Sequence, residues 1–101
     1  MAIQTAMTRL KADIQGADAA INRWHFDENS MKLYCGDSAI CWCREKDKLY
    51  RIENKTKGLI ATNITTFHCS LCATAFQATV IICAIEAGDI CVSAQIRVYN
   101  G

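Results

Sequence analysis

Thr79 to Tyr99 reads TVIICAIEAGDICVSAQIRVY, and the Gly88-Asp89 pair at its centre decides how this part of the chain folds. Two apolar runs flank a two-residue loop that begins with glycine. This is the composition of a type II′ hairpin turn, because only glycine takes φ > 0 at the first position without strain. The loop length sets the register. Ala87 faces Ile90, and counting outward places Ile85, Cys83, Ile81 and Thr79 opposite Val92, Ala94, Ile96 and Val98 on one side of the sheet. Glu86, Ala84, Ile82 and Val80 stand opposite Cys91, Ser93, Gln95 and Arg97 on the other. The second strand alternates, so one face belongs to a core. The first strand is apolar on both faces and belongs inside the sheet. A three-residue loop would set apolar residues against polar ones and is rejected on that ground.

The same device recurs upstream, where Gly36-Asp37 separates MKLYC from SAICWC. That register sets Leu33 against Ile40 and Met31 against Trp42 on one face, with Tyr34 against Ala39 and Lys32 against Cys41 on the other. Glu45 to Lys48 is a charged loop, and LYRIE returns antiparallel. If Arg44 pairs with Leu49, Cys43 meets Tyr50, Cys41 meets Ile52, and Trp42 meets Arg51. Asn54 to Gly58 closes the meander, and LIATNITTF is a further strand. Continued alternation would then run one strand from Leu59 to Glu86, far past the usual length of roughly 3–10 residues. A break is required within residues 68–78, HCSLCATAFQA, as a short helix or a bulged crossover.

Before the meander, Ile3, Met7, Leu10, Ile14, Ala17, Ile21 and Trp24 recur at steps of four and three, the apolar stripe of one helix about 33 Å long. Gly16 interrupts it and marks a close approach, a kink or a break. Asp27 to Ser30 is a turn cluster. The expected fold is therefore α+β: a single domain, 1–101, with one long N-terminal helix on an antiparallel β-sheet of five or six strands, meander plus C-terminal hairpin.

Composition narrows the function. At 51% hydrophobic and 21% charged, without proline, the chain has the makeup of a packed domain and not of a linker or disordered tail. A net charge of +1 gives the whole molecule no pull toward nucleic acid or acidic lipid. Arg9, Lys11 and Asp13 fall where a secretory leader would be apolar, and the polar residues within 58–85 interrupt any membrane span, so the expected compartment is the cytoplasm. There, seven cysteines, an odd number, are expected as free thiols behaving as small hydrophobes.

Three constellations carry possible chemistry. Cys41 and Cys43 with Cys69 and Cys72, and His68 in reserve, could supply a tetrahedral zinc site and make the protein a small zinc-stabilised module. Against this, no knuckle glycine or proline turns the backbone around a metal, so no cofactor is expected. His68 adjoins Cys69, but neighbours on a strand point to opposite faces, and Cys69-Ser70-Leu71-Cys72 lacks the helix that would activate a redox thiol. No catalytic motif is present, so no enzyme is expected. Residues 44–57 hold Arg44, Lys46, Lys48, Arg51, Lys55 and Lys57 near Trp42 and Tyr50, the ingredients of weak nucleic-acid binding, offset by Glu45, Asp47 and Glu53.

The remaining feature is a surface. Met31, Leu33, Ile40 and Trp42 share a face with Arg44 and Arg51, an aromatic among aliphatics rimmed by arginine. The opposite face, with Cys41, Cys43, Tyr50 and Ile52, would then go to the core. The expected function is non-catalytic binding of another protein through the Trp42 face, with homodimerisation as a variant. Short, motif-poor, proline-free chains are common among products of phages and other mobile elements, many of which inhibit host machinery, and that association sets the expected setting.

Overall fold

The computed structural model describes residues 3–17, 23–75 and 78–99. The fold is α+β, with one helix and eight strands among the described residues. Helix α1 (Ile3–Gly16) is followed by β1 (His25–Asp27), β2 (Ser30–Cys35), β3 (Ser38–Glu45), β4 (Lys48–Glu53) and β5 (Thr56–Ala61). These five strands form one antiparallel sheet in sequence order. Strands β6 (Thr66–Ala75), β7 (Ala78–Ala87) and β8 (Ile90–Tyr99) form a second antiparallel sheet, also in sequence order. Where one sheet of five or six strands was expected, there are two.

Turn chemistry explains the order. Gly36 and Gly88 take φ of +65° and +61°, while the aspartate after each keeps an ordinary φ, the type II′ signature. The pairings that follow are those read from the sequence, Leu33 with Ile40 and Met31 with Trp42 in one hairpin, Ala87 with Ile90 through Thr79 with Val98 in the other. Lys46-Asp47 is also a two-residue turn, with Arg44 opposite Leu49 and Trp42 opposite Arg51. Asn54 and Lys55, both at positive φ, make a type I′ turn into β5.

The run from Leu59 to Glu86 breaks twice, once within 68–78, where β6 ends at Ala75 and β7 returns antiparallel from Ala78, and once earlier. Asn63, at φ +60°, ends the first sheet, and asparagine is among the few side chains that tolerate this region. Ile64 N then donates to Asp47 O at 2.8 Å and Thr65 N to Glu86 O at 2.8 Å, carrying the backbone from one sheet to the other. Residues 66–75 are strand, with a bulge between Leu71 and Ala73, and no helix intervenes among the described residues.

Helix α1 is shorter than its sequence pattern. It ends at Gly16, where Ala17 N closes a last turn on Ile14 O at 3.3 Å. A Cβ at Gly16 would meet nothing within 4 Å, so the glycine marks a stop and not a close approach. Trp24 is buried, but as a residue leading into β1, and the part of the expected helix at 18–22 lies outside the described residues. The buried stripe Ile3, Ala6, Met7, Leu10 and Ile14 faces β8, β7 and β5 and closes the core between the two sheets.

The core's centre corrects the largest expectation. Trp42 is 0% exposed, Leu33 0%, Met31 1% and Ile40 4%. The Trp42 ring stacks on Phe67 of β6, with centroids 6.5 Å apart and planes at 22°. The face expected to meet a partner is thus the one the second sheet and α1 cover. Its opposite, with Cys41, Cys43, Tyr50 and Ile52, turns outward and is half-buried. Trp42→Ala therefore removes a core anchor and should lower stability by about 3–5 kcal/mol, a large share of the roughly 5–15 kcal/mol typical of a domain. The urea midpoint would fall accordingly; a midpoint equal to wild type would show that Trp42 is not a core residue.

Candidate interaction surface

Strand alternation assembles the outward face of the five-stranded sheet. Lys32, Cys41, Ile52 and Lys57 are consecutive partners on β2, β3, β4 and β5 and make one row across the sheet. Cys43, Tyr50 and Leu59 make the next row. Leu59 is 54% exposed, and the others between the lysines are half-buried, with no helix above them among the described residues. The centre is therefore thiol, aromatic and aliphatic.

Cations sit over the rings at its rim. Lys57 Nζ lies 4.3 Å from the Tyr50 centroid and donates to Glu45 Oε2 at 2.7 Å. Arg23 Cζ is 4.5 Å above the Tyr34 ring, and Lys32 Nζ is 5.6 Å from it. Each contact is an exposed cation–π pair, worth roughly 0.5–1 kcal/mol, which holds an aromatic edge in place more than it stabilises the fold. Burial pushes the Cys41 and Cys43 thiols above their ordinary values, so at neutral pH they are neutral apolar groups.

The arginines of the expected interface work elsewhere. Arg51 Nε and Nη2 donate to the two Asp13 oxygens at 2.6 and 3.0 Å, and its Nη1 to Glu53 Oε1 at 3.3 Å. Trp42 Nε1 donates to the same Asp13 Oδ2 at 2.7 Å. The Asp13 hydrogen bonds hold the Arg51 guanidinium above its usual pKa, fully charged under all working conditions. Arg44 Nε donates to Asn29 Oδ1 at 3.0 Å, and its Nη1 donates to Lys46 O, bracing the β1–β2 turn. With these engaged and Lys57 held by Glu45, the basic meander keeps Lys46 and Lys48 at one end of β4 and Lys55 at the other. The sequence signal for the Asp13 contact is a carboxylate three residues past Leu10 and adjacent to Ile14 on an apolar stripe.

The zinc set is not brought together. Cys41 and Cys43 point outward from the five-stranded sheet, while Cys69 is buried in the second sheet, its Sγ 2.9 Å from Cys83 Sγ. The side chain of Cys72 lies outside the described residues. Among the described residues no group of three or more His, Cys, Asp or Glu could hold a metal ion. The hydrogen bond to Cys83 and burial both push the Cys69 thiol far up, so it is inert as a nucleophile. His68 is exposed, opposite Ala84 on the face away from Cys69, and His25 is exposed on β1.

No helix among the described residues is long and apolar enough to cross a membrane. Comparison with protein-family models, curated proteins and solved structures returned no match.

Two outcomes follow from this geometry. The Asp13–Arg51 pair has side chains only 13% and 14% exposed. Asp13→Asn, which leaves Arg51 without its counter-charge, should cost about 2–3 kcal/mol after a discount for residual exposure. Glu45→Gln at the exposed Lys57 pair should leave the urea midpoint unchanged; equal effects would refute the ranking. With iodoacetamide at neutral pH, exposed Cys35 and Cys91 should be modified first, Cys41 and Cys43 next, and Cys69 and Cys83 last, as read by peptide mass spectrometry. Because the Cys41 and Cys43 pKa values are raised, their rates should keep climbing as the pH is taken above about 8.5.

Proposed function

We propose that this protein is a non-catalytic binding module that engages another protein through the outer face of its five-stranded sheet. The observation that carries the reading is the uncovered row structure of Cys43, Tyr50 and Leu59 beside Cys41 and Ile52, with lysines at the ends. An apolar centre with an aromatic and a cationic rim has the composition of an interface, and a solvent-facing sheet would ordinarily carry polar residues there. A non-catalytic role fits the chemistry of Cys41, Cys43 and Cys69, which burial keeps protonated or encloses in the core. Such a module acts by occupying its partner's surface. That is also how small inhibitors of host machinery encoded by phages and other mobile elements work.

Ile52→Lys tests the reading, because it charges the centre of the face while Ile52 makes no part of the enclosed core. Tagged wild type and variant would be matched by circular dichroism and melting point, then used to capture proteins from the same extract. Proteins retained by the wild type and lost from the variant support the reading. Identical captured sets, or a wild type that captures nothing above the tag control, would refute it.

A further inference from the structure

Four strands form the edges of the two sheets, and three of them are blunted. β1 has only three residues; β5 pairs through a register shift at Leu49/Tyr50; β6 carries the bulge between Leu71 and Ala73 and packs against β1 and β2. Short, bulged and covered edges are the usual defences against edge pairing. β8 is neither short nor bulged, and α1 packs against its buried face, where Ile96 and Val98 lie. It runs ten residues, pairs with β7 in unbroken register and has no proline. No hydrogen bond among the described residues reaches its outer edge.

We infer that two copies of this chain join through β8, antiparallel about a two-fold axis at Ala94, to make one continuous six-stranded sheet. The register comes from the hairpin. The two-residue turn makes Ala87–Ile90 a hydrogen-bonded pair, and such pairs then alternate with open ones up the ladder. Cys91, Ser93, Gln95 and Arg97 therefore turn their N–H and C=O groups away from β7. With Ala94 on the axis, Ser93 pairs with Gln95 of the second copy and Cys91 with Arg97, a ladder of about eight new backbone hydrogen bonds. Ala94 meets Ala94 at the closely spaced open pair, where a small side chain fits. Val92 meets Ile96, and Ile90, 63% exposed in the single chain, meets Val98. Every cross-axis pair except Cys91 with Arg97 is apolar with apolar or polar with polar.

Charge supports the same occupant. Arg97 makes no ion pair among the described residues, and neither do Glu86 and Asp89 at the opposite end of the hairpin. Glu86 stands beside Cys91 on β7. The two-fold operation lays Arg97 across from Cys91 of the second copy, next to that copy's Glu86 and diagonal to its Asp89. Symmetry repeats the contact at both ends, and a closed two-fold interface uses up the β8 edge of both copies.

Sedimentation velocity of the full chain over a concentration series tests this. The wild type should move toward twice the 11.2 kDa chain mass as concentration rises. Gln95→Pro removes an outward N–H without touching the β7 ladder, and it should be monomeric with an unchanged circular dichroism spectrum. Arg97→Glu should also be monomeric, and Arg97→Glu combined with Glu86→Arg should restore the dimer. Should Gln95→Pro not fold, the charge series decides alone. A wild type that stays monomeric at every concentration, a dimer that survives Arg97→Glu, or a double variant that stays monomeric would each overturn the inference. Ile52→Lys should leave the dimer intact; if it dissolves the dimer, the outer sheet face and not β8 joins the copies.

Discussion

One carboxylate ties the helix of this protein to its five-stranded sheet. Asp13 on α1 accepts from Trp42 Nε1 on β3 and from two nitrogens of Arg51 on β4. The indole N–H at the centre of the core needs an acceptor, and the helix supplies one that is already neutralised by a guanidinium from the next strand. Burial of a lone charge at this depth would cost several kcal/mol; the bidentate pair with one further donor satisfies it. Rotation of α1 about its axis would break all three bonds. The helix is thus held in one orientation by polar contacts, and its apolar stripe supplies most of the packing energy without selecting that orientation as sharply.

The two faces of the meander illustrate the difference between pattern and placement. Met31, Leu33, Ile40 and Trp42 alternate with Lys32, Tyr34, Cys41 and Cys43, and both sets are apolar enough to be buried. Composition near Trp42 and Arg51 resembles an interface because a buried polar hub uses the same residues, an aromatic with a donor and a bidentate cation. What distinguishes the two cases is whether a carboxylate from another element arrives to receive them. Asp13 is 38 residues from Arg51 in sequence, and no local pattern links the two.

Cysteine use follows the same division. Cys69 and Cys83 face each other inside the second sheet as small core residues, whereas Cys41 and Cys43 lie on the outward face. Their spacing in the chain suggested one cluster, but a strand that sends Cys41 and Cys43 outward and another that sends Cys69 inward place the thiols in different layers. Cys41, Cys43, Cys69 and Cys83 therefore serve as small apolar side chains on two separate faces.

Residues close in sequence determined everything that turn length governs. Gly36-Asp37 and Gly88-Asp89 specify two-residue turns through the φ that glycine alone takes comfortably, so the hairpin registers and the α+β class were legible from the chain. So was the apolar stripe of α1 as far as Gly16. The division into two sheets was not, because it rests on one left-handed asparagine, Asn63, in a run that otherwise alternates without interruption. The choice of inner face was not either. Register is a local property of two strands and a turn, while the side that becomes core depends on where α1 and β6 pack, and only the tertiary structure brings Asp13 and Phe67 to Trp42.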